Sequence, residues 1–143
     1  GVLQQGGTPK SVYNDPGNMF VAGFIGSPSM NFLNGELVDG DFITENCCIR
    51  DVGKGSHGDV ILGIRPEDMK MVVSGQSHLE AVLYSVELTG DHTIVTAKLG
   101  TDYFTVREDK EFEGAIDQRI KIWVEASKAF LFESSTGNRI RFD

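Results

Sequence analysis

Cysteine and positive charge are both in short supply in this chain of 143 residues, which has two Cys and only 13 Lys and Arg against 21 Asp and Glu. The resulting formal charge of −8 repels a long polyanion before contact, so nucleic acid is not expected as a partner. The two cysteines, Cys47 and Cys48, are adjacent, and neighbours cannot bridge each other without straining the backbone. A disulfide framework is therefore excluded, and a reducing compartment fits. No apolar run approaches the roughly 20 residues that a bilayer-spanning helix needs. His57, His78 and His92 are the three histidines, and no two stand four apart or at alternate positions. Together with Cys47 and Cys48 they form no C-x-x-C pair, so the spacing of a structural zinc site is missing. No internal repeat and no low-complexity linker interrupts the chain.

What is present reads first as helix and then as strand. Thr8-Pro9 is a helix start, because threonine caps the first turn and proline loses nothing at the first helical position. It predicts a short helix from Pro9 to about Asn14. Asp15-Pro16 repeats the signal, and Phe20, Val21, Phe24 and Ile25 share a face of a second helix closed by Gly26 and Pro28. Beyond Pro28 the period shortens. Phe32, Leu33 and Leu37, Phe42 and Ile43, Cys48 to Val52, and Val60 to Ile64 read as strands, with turns expected at Asn34-Gly35 and Asp39-Gly40. Arg65-Pro66-Glu67-Asp68 allows at most one turn of helix. His78 to Leu88, Thr93 to Leu99, Tyr103 to Val106, Ile120 to Glu125 and Phe130 to Glu133 complete the pattern. Two short helices followed by seven to nine short strands suggest a small closed or partly closed β-barrel of the oligonucleotide/oligosaccharide-binding (OB) kind.

The candidate chemistry is thin. Gly53-Lys54-Gly55-Ser56-His57-Gly58 is glycine-rich, but it lacks the P-loop spacing and precedes a strand, so a plain hairpin loop is expected. Ser56, His57 and Asp59 are the residue types of a catalytic triad, yet neighbours on one loop cannot converge as that mechanism requires. Glu108, Asp109, Glu111 and Glu113 form an acidic cluster that reads as a solvated loop, and Cys48 reads as a small core residue. Tyr103, Phe104 and Arg107 have the composition of a base-stacking surface, but the acidic background favours core and rim packing. Ser74-Gly75-Gln76 matches only three letters of a nucleotide-binding signature. No catalytic residue, metal ligand or cofactor site is expected.

Two strings carry a family resemblance. Gly7 to Pro16, followed by Asn18-Met19-Phe20-Val21-Ala22-Gly23-Phe24-Ile25-Gly26-Ser27-Pro28-Ser29-Met30-Asn31-Phe32-Leu33, resembles the segment after the nucleotide-binding domain in ATPase subunits of carbohydrate-type ABC importers, the maltose transporter ATPase family. Leu62-Gly63-Ile64-Arg65-Pro66-Glu67-Asp68 is similar to a second signature of that family, and Val86 to Asp91 matches a third more weakly. Gly17 and the Cys47-Cys48 pair depart from the family pattern without touching these motifs.

The resemblance implies a C-terminal regulatory domain of the TOBE type, an OB-like barrel over residues 29–143. Residues 7–28 would then be a helical connector, and residues 1–6 a remnant of an upstream ATPase domain. ATP and Mg would belong to that missing domain, since the P-loop, the signature motif and the switch histidine of a complete subunit are absent here. The implied partners are a second copy of the subunit in a homodimer, permease subunits reached through the motor, and a regulatory protein, all at the cytoplasmic face of the membrane. Arg65, Glu67 and Asp68 are the candidate interface residues, because a proline-stiffened loop can aim charge across a subunit boundary. Met30 and Phe32, with Phe24 and Ile25, are expected to pack the helices on the barrel. The alternative function is a barrel that senses a small oxyanion or sugar.

Overall fold

Alternating apolar residues place one side of nearly every strand in a common core, and the computed structural model describes residues 30–142. Among them ten strands form: β1 (Asn31–Val38), β2 (Asp41–Thr44), β3 (Cys47–Ile49), β4 (His57–Ile64), β5 (Met69–Val72), β6 (Leu79–Thr89), β7 (His92–Leu99), β8 (Asp102–Asp109), β9 (Arg119–Val124) and β10 (Phe130–Glu133). All pairings are antiparallel. The hydrogen-bonded path runs β10-β4-β1-β2-β3-β6-β7-β8, and β9 attaches β5 to the side of β6. The protein is therefore mainly β, with ten strands where seven to nine were expected. The two expected helices lie outside the described residues, as do Phe24 and Ile25.

Three differences from the expected pattern have local causes. Asn34-Gly35 is no turn but the middle of β1. Glycine is required there because a Cβ on Gly35 would meet the Phe42 ring at 2.6 Å and the Ile43 carbonyl at 2.8 Å. The turn is Asp39-Gly40, where φ values of 50° and 83° suit a two-residue hairpin of the type that matches strand twist. The segment expected from Cys48 to Val52 shrinks to Cys47–Ile49, since Asp51 takes a positive φ of 58° and ends the pairing. Alternation then puts Cys47 in the core and Cys48 in solvent, the reverse of the expectation for Cys48. Finally, β5 carries no alternation strong enough to announce it, and it forms because β9 supplies a partner for all four of its residues.

The main core gathers Leu33, Leu37, Phe42, Ile49, Leu62, Ile64, Leu83, Phe104 and Ile122, among others, from the inward faces. Burying each such side chain contributes about 1.5–3 kcal/mol. A second cluster of Met30, Ile61, Phe130 and Phe132, with Phe32 against it, occupies the opposite face of β1, β4 and β10.

The ladder stays open between β8 and β1, and side chains span the gap. Asn31 is 6% exposed; its carbonyl oxygen accepts from Thr105 N at 2.8 Å while its amide nitrogen donates to Thr105 O at 2.6 Å. Further along the seam, Asp102 accepts from the Asn34 backbone at 3.0 Å and from its side chain at 3.1 Å. Glu108 accepts from Met71 N at 3.2 Å, joining β8 to β5.

Asn31→Ala removes the partner of both Thr105 backbone groups and is expected to cost about 1–3 kcal/mol. Asn34→Ala, at the exposed end of the seam, is expected to cost less than about 1 kcal/mol. Urea unfolding midpoints at unchanged slope check the ranking.

Candidate functional site

The Arg65–Asp68 turn is where the sequence placed its candidate interface. Arg65 is held extended (φ −78°, ψ 149°), as a residue before proline must be, and Pro66 is buried at the start of a single 3₁₀ turn, Pro66–Asp68. Asp68 N donates to Arg65 O at 2.9 Å, and Glu125 N donates to Asp68 O at 2.9 Å, which pins the turn to the end of β9. The Arg65 guanidinium lies 5.3 Å from the Phe130 ring centroid, and that of Arg139 lies 4.6 Å from the same centroid. Burial raises the Asp68 carboxyl above the usual carboxylate range and Glu67 adds to the rise, whereas Arg65 and Lys128 pull it back. Arg65 and Asp68 thus engage the domain's own groups. Glu67 is exposed and faces a cleft shared with Asp91, His92, Arg107, Glu108 and Asp109.

That cleft is acidic and structurally occupied. His92 contacts Asp91 at 2.8 Å and Thr89 Oγ1 at 2.9 Å. The His92 contact holds the Asp91 carboxyl below its ordinary value. Glu108 and Asp109 belong to β8, not to the expected loop, while Glu111 and Glu113 lie in the exposed segment after it. Burial raises the Glu108 carboxyl, and its bond from Met71 N opposes that rise. Strand alternation was the available signal for Glu108, since it continues the inward series of Phe104 and Val106.

The other candidates disperse. Ser56 Oγ accepts from Asp39 N at 2.9 Å, the His57 ring meets Phe142 edge-on at 6.4 Å, and Asp59 stands opposite Glu36 on β1. The glycine-rich loop is tied to the Asp39-Gly40 turn: Gly53 N donates to Gly40 O at 3.1 Å, and Gly40 N donates to Gly55 O at 2.8 Å. Phe104 is buried, Tyr103 is exposed and stacks edge-on against Tyr84 at 5.0 Å, and Arg107 lines the cleft. Ser74 and Gln76 border a groove beside β5 and Trp123. The Cys47 thiol is pushed up to about 12 by burial first and by Cys48 second, which makes it inert. Among the described residues, no three His, Cys, Asp or Glu side chains are arranged to hold a metal ion. No helix among them is long and apolar enough to cross a membrane.

An antiparallel ten-stranded sheet with the Leu62–Asp68 motif at a strand end is the setting for the comparison with known proteins. Residues 26–69 match the MalK OB fold domain, and residues 62–132 match the TOBE domain. The chain belongs to the MalK-type OB/TOBE family. The two matches overlap at 62–69, so the Arg65–Asp68 turn of this OB/TOBE chain lies where both descriptions meet. The chain is 35% identical to the ABC transporter ATP-binding protein YcjV of Escherichia coli, over 99% of this chain and 42% of the relative. It is 35% identical to the oligosaccharides import ATP-binding protein MsmX of Bacillus subtilis, again over 99% and 42%. The sulfoquinovosyl glycerol transport ATP-binding protein SmoE of Agrobacterium fabrum is 34% identical over 98% of this chain and 41% of its own length. The OB/TOBE chain therefore spans about two fifths of the curated relatives it matches.

His78 supplies a test of the electrostatics. Its Nδ1 accepts from Val124 N at 2.9 Å, which requires the neutral ring, and burial lowers its pKa from 6.5 while Glu125 opposes the shift. Below 6.5 the unfolded chain binds a proton that the folded chain still refuses, so this contribution is complete above 6.5 and is lost as pH falls toward the lowered folded value. Between about pH 7.5 and about pH 5.5, His78→Asn, which keeps an acceptor without titrating, is expected to lose less stability than the unaltered chain. Urea midpoints at the two pH values check this.

Proposed function

We propose that this chain is the regulatory domain of the ATP-binding subunit of an ABC importer, serving the uptake of sugars or related solutes. The observation that carries the reading is the pairing of near-complete coverage here with partial coverage there: 99% of this chain aligns with 42% of an oligosaccharide importer's ATP-binding protein. ATP hydrolysis then belongs to the rest of the parent subunit, with ATP and Mg held there. This domain works by contact: it meets a second copy of the subunit and can receive a regulatory protein. The permease subunits would be reached through the motor, which places the assembly at the cytoplasmic face of the membrane.

The Arg65–Asp68 turn suits a contact role by division of labour. Arg65 and Asp68 fix the turn against Phe130 and the end of β9, and Glu67 projects at the cleft rim. A rigid turn presents a charge with little ordering cost on association.

The coding sequence upstream of Gly1 is expected to hold a P-loop and an ABC signature motif. The chain extended through that region is expected to hydrolyse ATP, and the 143-residue chain to show no turnover. ATPase activity in the short chain, or an upstream region with no P-loop, would contradict the reading.

A further inference from the structure

We propose that the groove bordered by β5, β9 and the loop between β5 and β6 binds a phosphorylated monosaccharide, its ring lying against Trp123 and its phosphate on Lys70. The site is built from this chain's own residues and goes beyond the regulatory reading, which neither requires it nor names it.

Strand register assembles the groove. Trp123, the only tryptophan of the chain, stands opposite Lys70 of β5, and Lys121, two residues earlier on β9, stands opposite Val72. Ile122 and Val124 are buried, so alternation turns Lys121 and Trp123, with Lys70 across from them, to the outer face of the sheet. Both lysines are exposed and Trp123 is half-buried. On the β6 side the His78 ring packs against the indole, with centroids 6.0 Å apart. The loop supplies the remaining wall, where Val73 is fully exposed and Ser74 and Gln76 border the groove with Lys70 and Trp123.

The polar groups here differ from those of the acidic cleft in being unspent. His78 Nδ1 accepts from Val124 N at 2.9 Å, which leaves the ring proton on Nε2. Among the described residues, no hydrogen bond or ion pair engages that Nε2, Trp123 Nε1, the Gln76 amide or the ammonium groups of Lys70 and Lys121. The surrounding carboxylates are already used. Glu80, opposite Lys121, accepts from Arg119 at 3.2 Å, Glu125 accepts from Ser127 Oγ at 3.0 Å, and Glu108 accepts from Met71 N at 3.2 Å. Among the described residues Lys70 is the only charged one lining the groove. On a chain of net charge −8 such a place draws an anion.

These features select the ligand. An indole offers a large apolar surface with an N–H at its edge, and a sugar ring meets it with its C–H face. The groups around it are mainly N–H donors, which suit hydroxyl and phosphate oxygens. Lys70 and Lys121 are diagonal neighbours, about 7–8 Å apart, so both ammonium groups reach one anionic group. Two cations suit a phosphate, which carries close to two charges, better than a carboxylate. A nucleobase also stacks on indole, but its edges need acceptors as well as donors, and only Ser74 and Gln76 supply them in the side chains here.

Because Trp123 is alone of its kind, its emission reports on the groove directly. Titration of the chain with glucose 6-phosphate is expected to change that emission saturably, with a dissociation constant on the order of 1 mM or tighter. Glucose and inorganic phosphate, each carrying half of the recognised chemistry, are expected to bind about ten-fold more weakly or worse. Lys70→Ala is expected to weaken glucose 6-phosphate about ten-fold and to leave glucose unchanged. Gln76→Ala, on the exposed loop, is expected to weaken both sugars a few-fold with an unchanged melting curve, which separates loss of the site from loss of the fold. An emission unmoved by glucose 6-phosphate well above that constant overturns the proposal. So does inorganic phosphate binding as well as the sugar phosphate, which would make the groove an anion site only, or adenosine monophosphate binding more tightly than either. A saturable signal indifferent to Lys70→Ala overturns it by putting the ligand elsewhere, and so does a Trp123 shielded from acrylamide quenching in the free chain, which would mean that the chain covers its own groove. None of these outcomes touches the regulatory reading, which is judged by the upstream coding sequence and ATPase activity.

Discussion

The seam between β8 and β1 is held by a carboxamide that takes the place of a strand neighbour. Asn31 offers an acceptor and a donor to the backbone of Thr105, reproducing with one side chain the pair of bonds that two strands would exchange. Thr105 Oγ1 also donates to Asn31 Oδ1 at 3.2 Å, and Asn31 Nδ2 reaches Met69 Sδ at 3.3 Å, so the group is engaged on every side. Because β1 pairs with β4 and β4 with β10, fixing β1 against β8 also sets where Phe130 stands beneath Arg65. Glu108 extends the same device to β5, which follows directly on the Pro66–Asp68 turn. The position of the candidate turn therefore depends on polar side chains inserted where the ladder fails. Among the described residues, every buried side-chain polar atom has a partner, as such a seam demands.

Strands defined by local alternation and bounded by turn residues could be read directly from the sequence. Phe130–Glu133 forms as expected, and the strands expected from His78, Thr93, Tyr103 and Ile120 appear with ends displaced by at most three residues. What resisted was anything decided by a distant neighbour. Gly35 looks like a turn glycine until Phe42 lies across it, and β5 has no pattern of its own until β9 is present. Cys48 looks like a core residue until a three-residue strand assigns its direction.

The candidate site was legible to a similar degree. The rigidity of the Arg65–Asp68 turn is local, since proline sets it. The partners of its charges, Phe130, Glu125 and Lys128, lie more than 50 residues away and could not be inferred from spacing. The same holds for the edge of β6. Its apolar residues Val86 and Leu88 read as an ordinary half-buried strand, and among the described residues β9 ends its pairing at Val82, before it reaches them.

The strand Cys47–Ile49 has a practical meaning. One thiol is sealed in the core with its pKa pushed up to about 12, while its immediate neighbour on the chain stands in water. The fold thus carries a matched pair of chemical witnesses separated by one peptide bond. One answers an alkylating reagent in the native protein, and the other stays silent until the core opens.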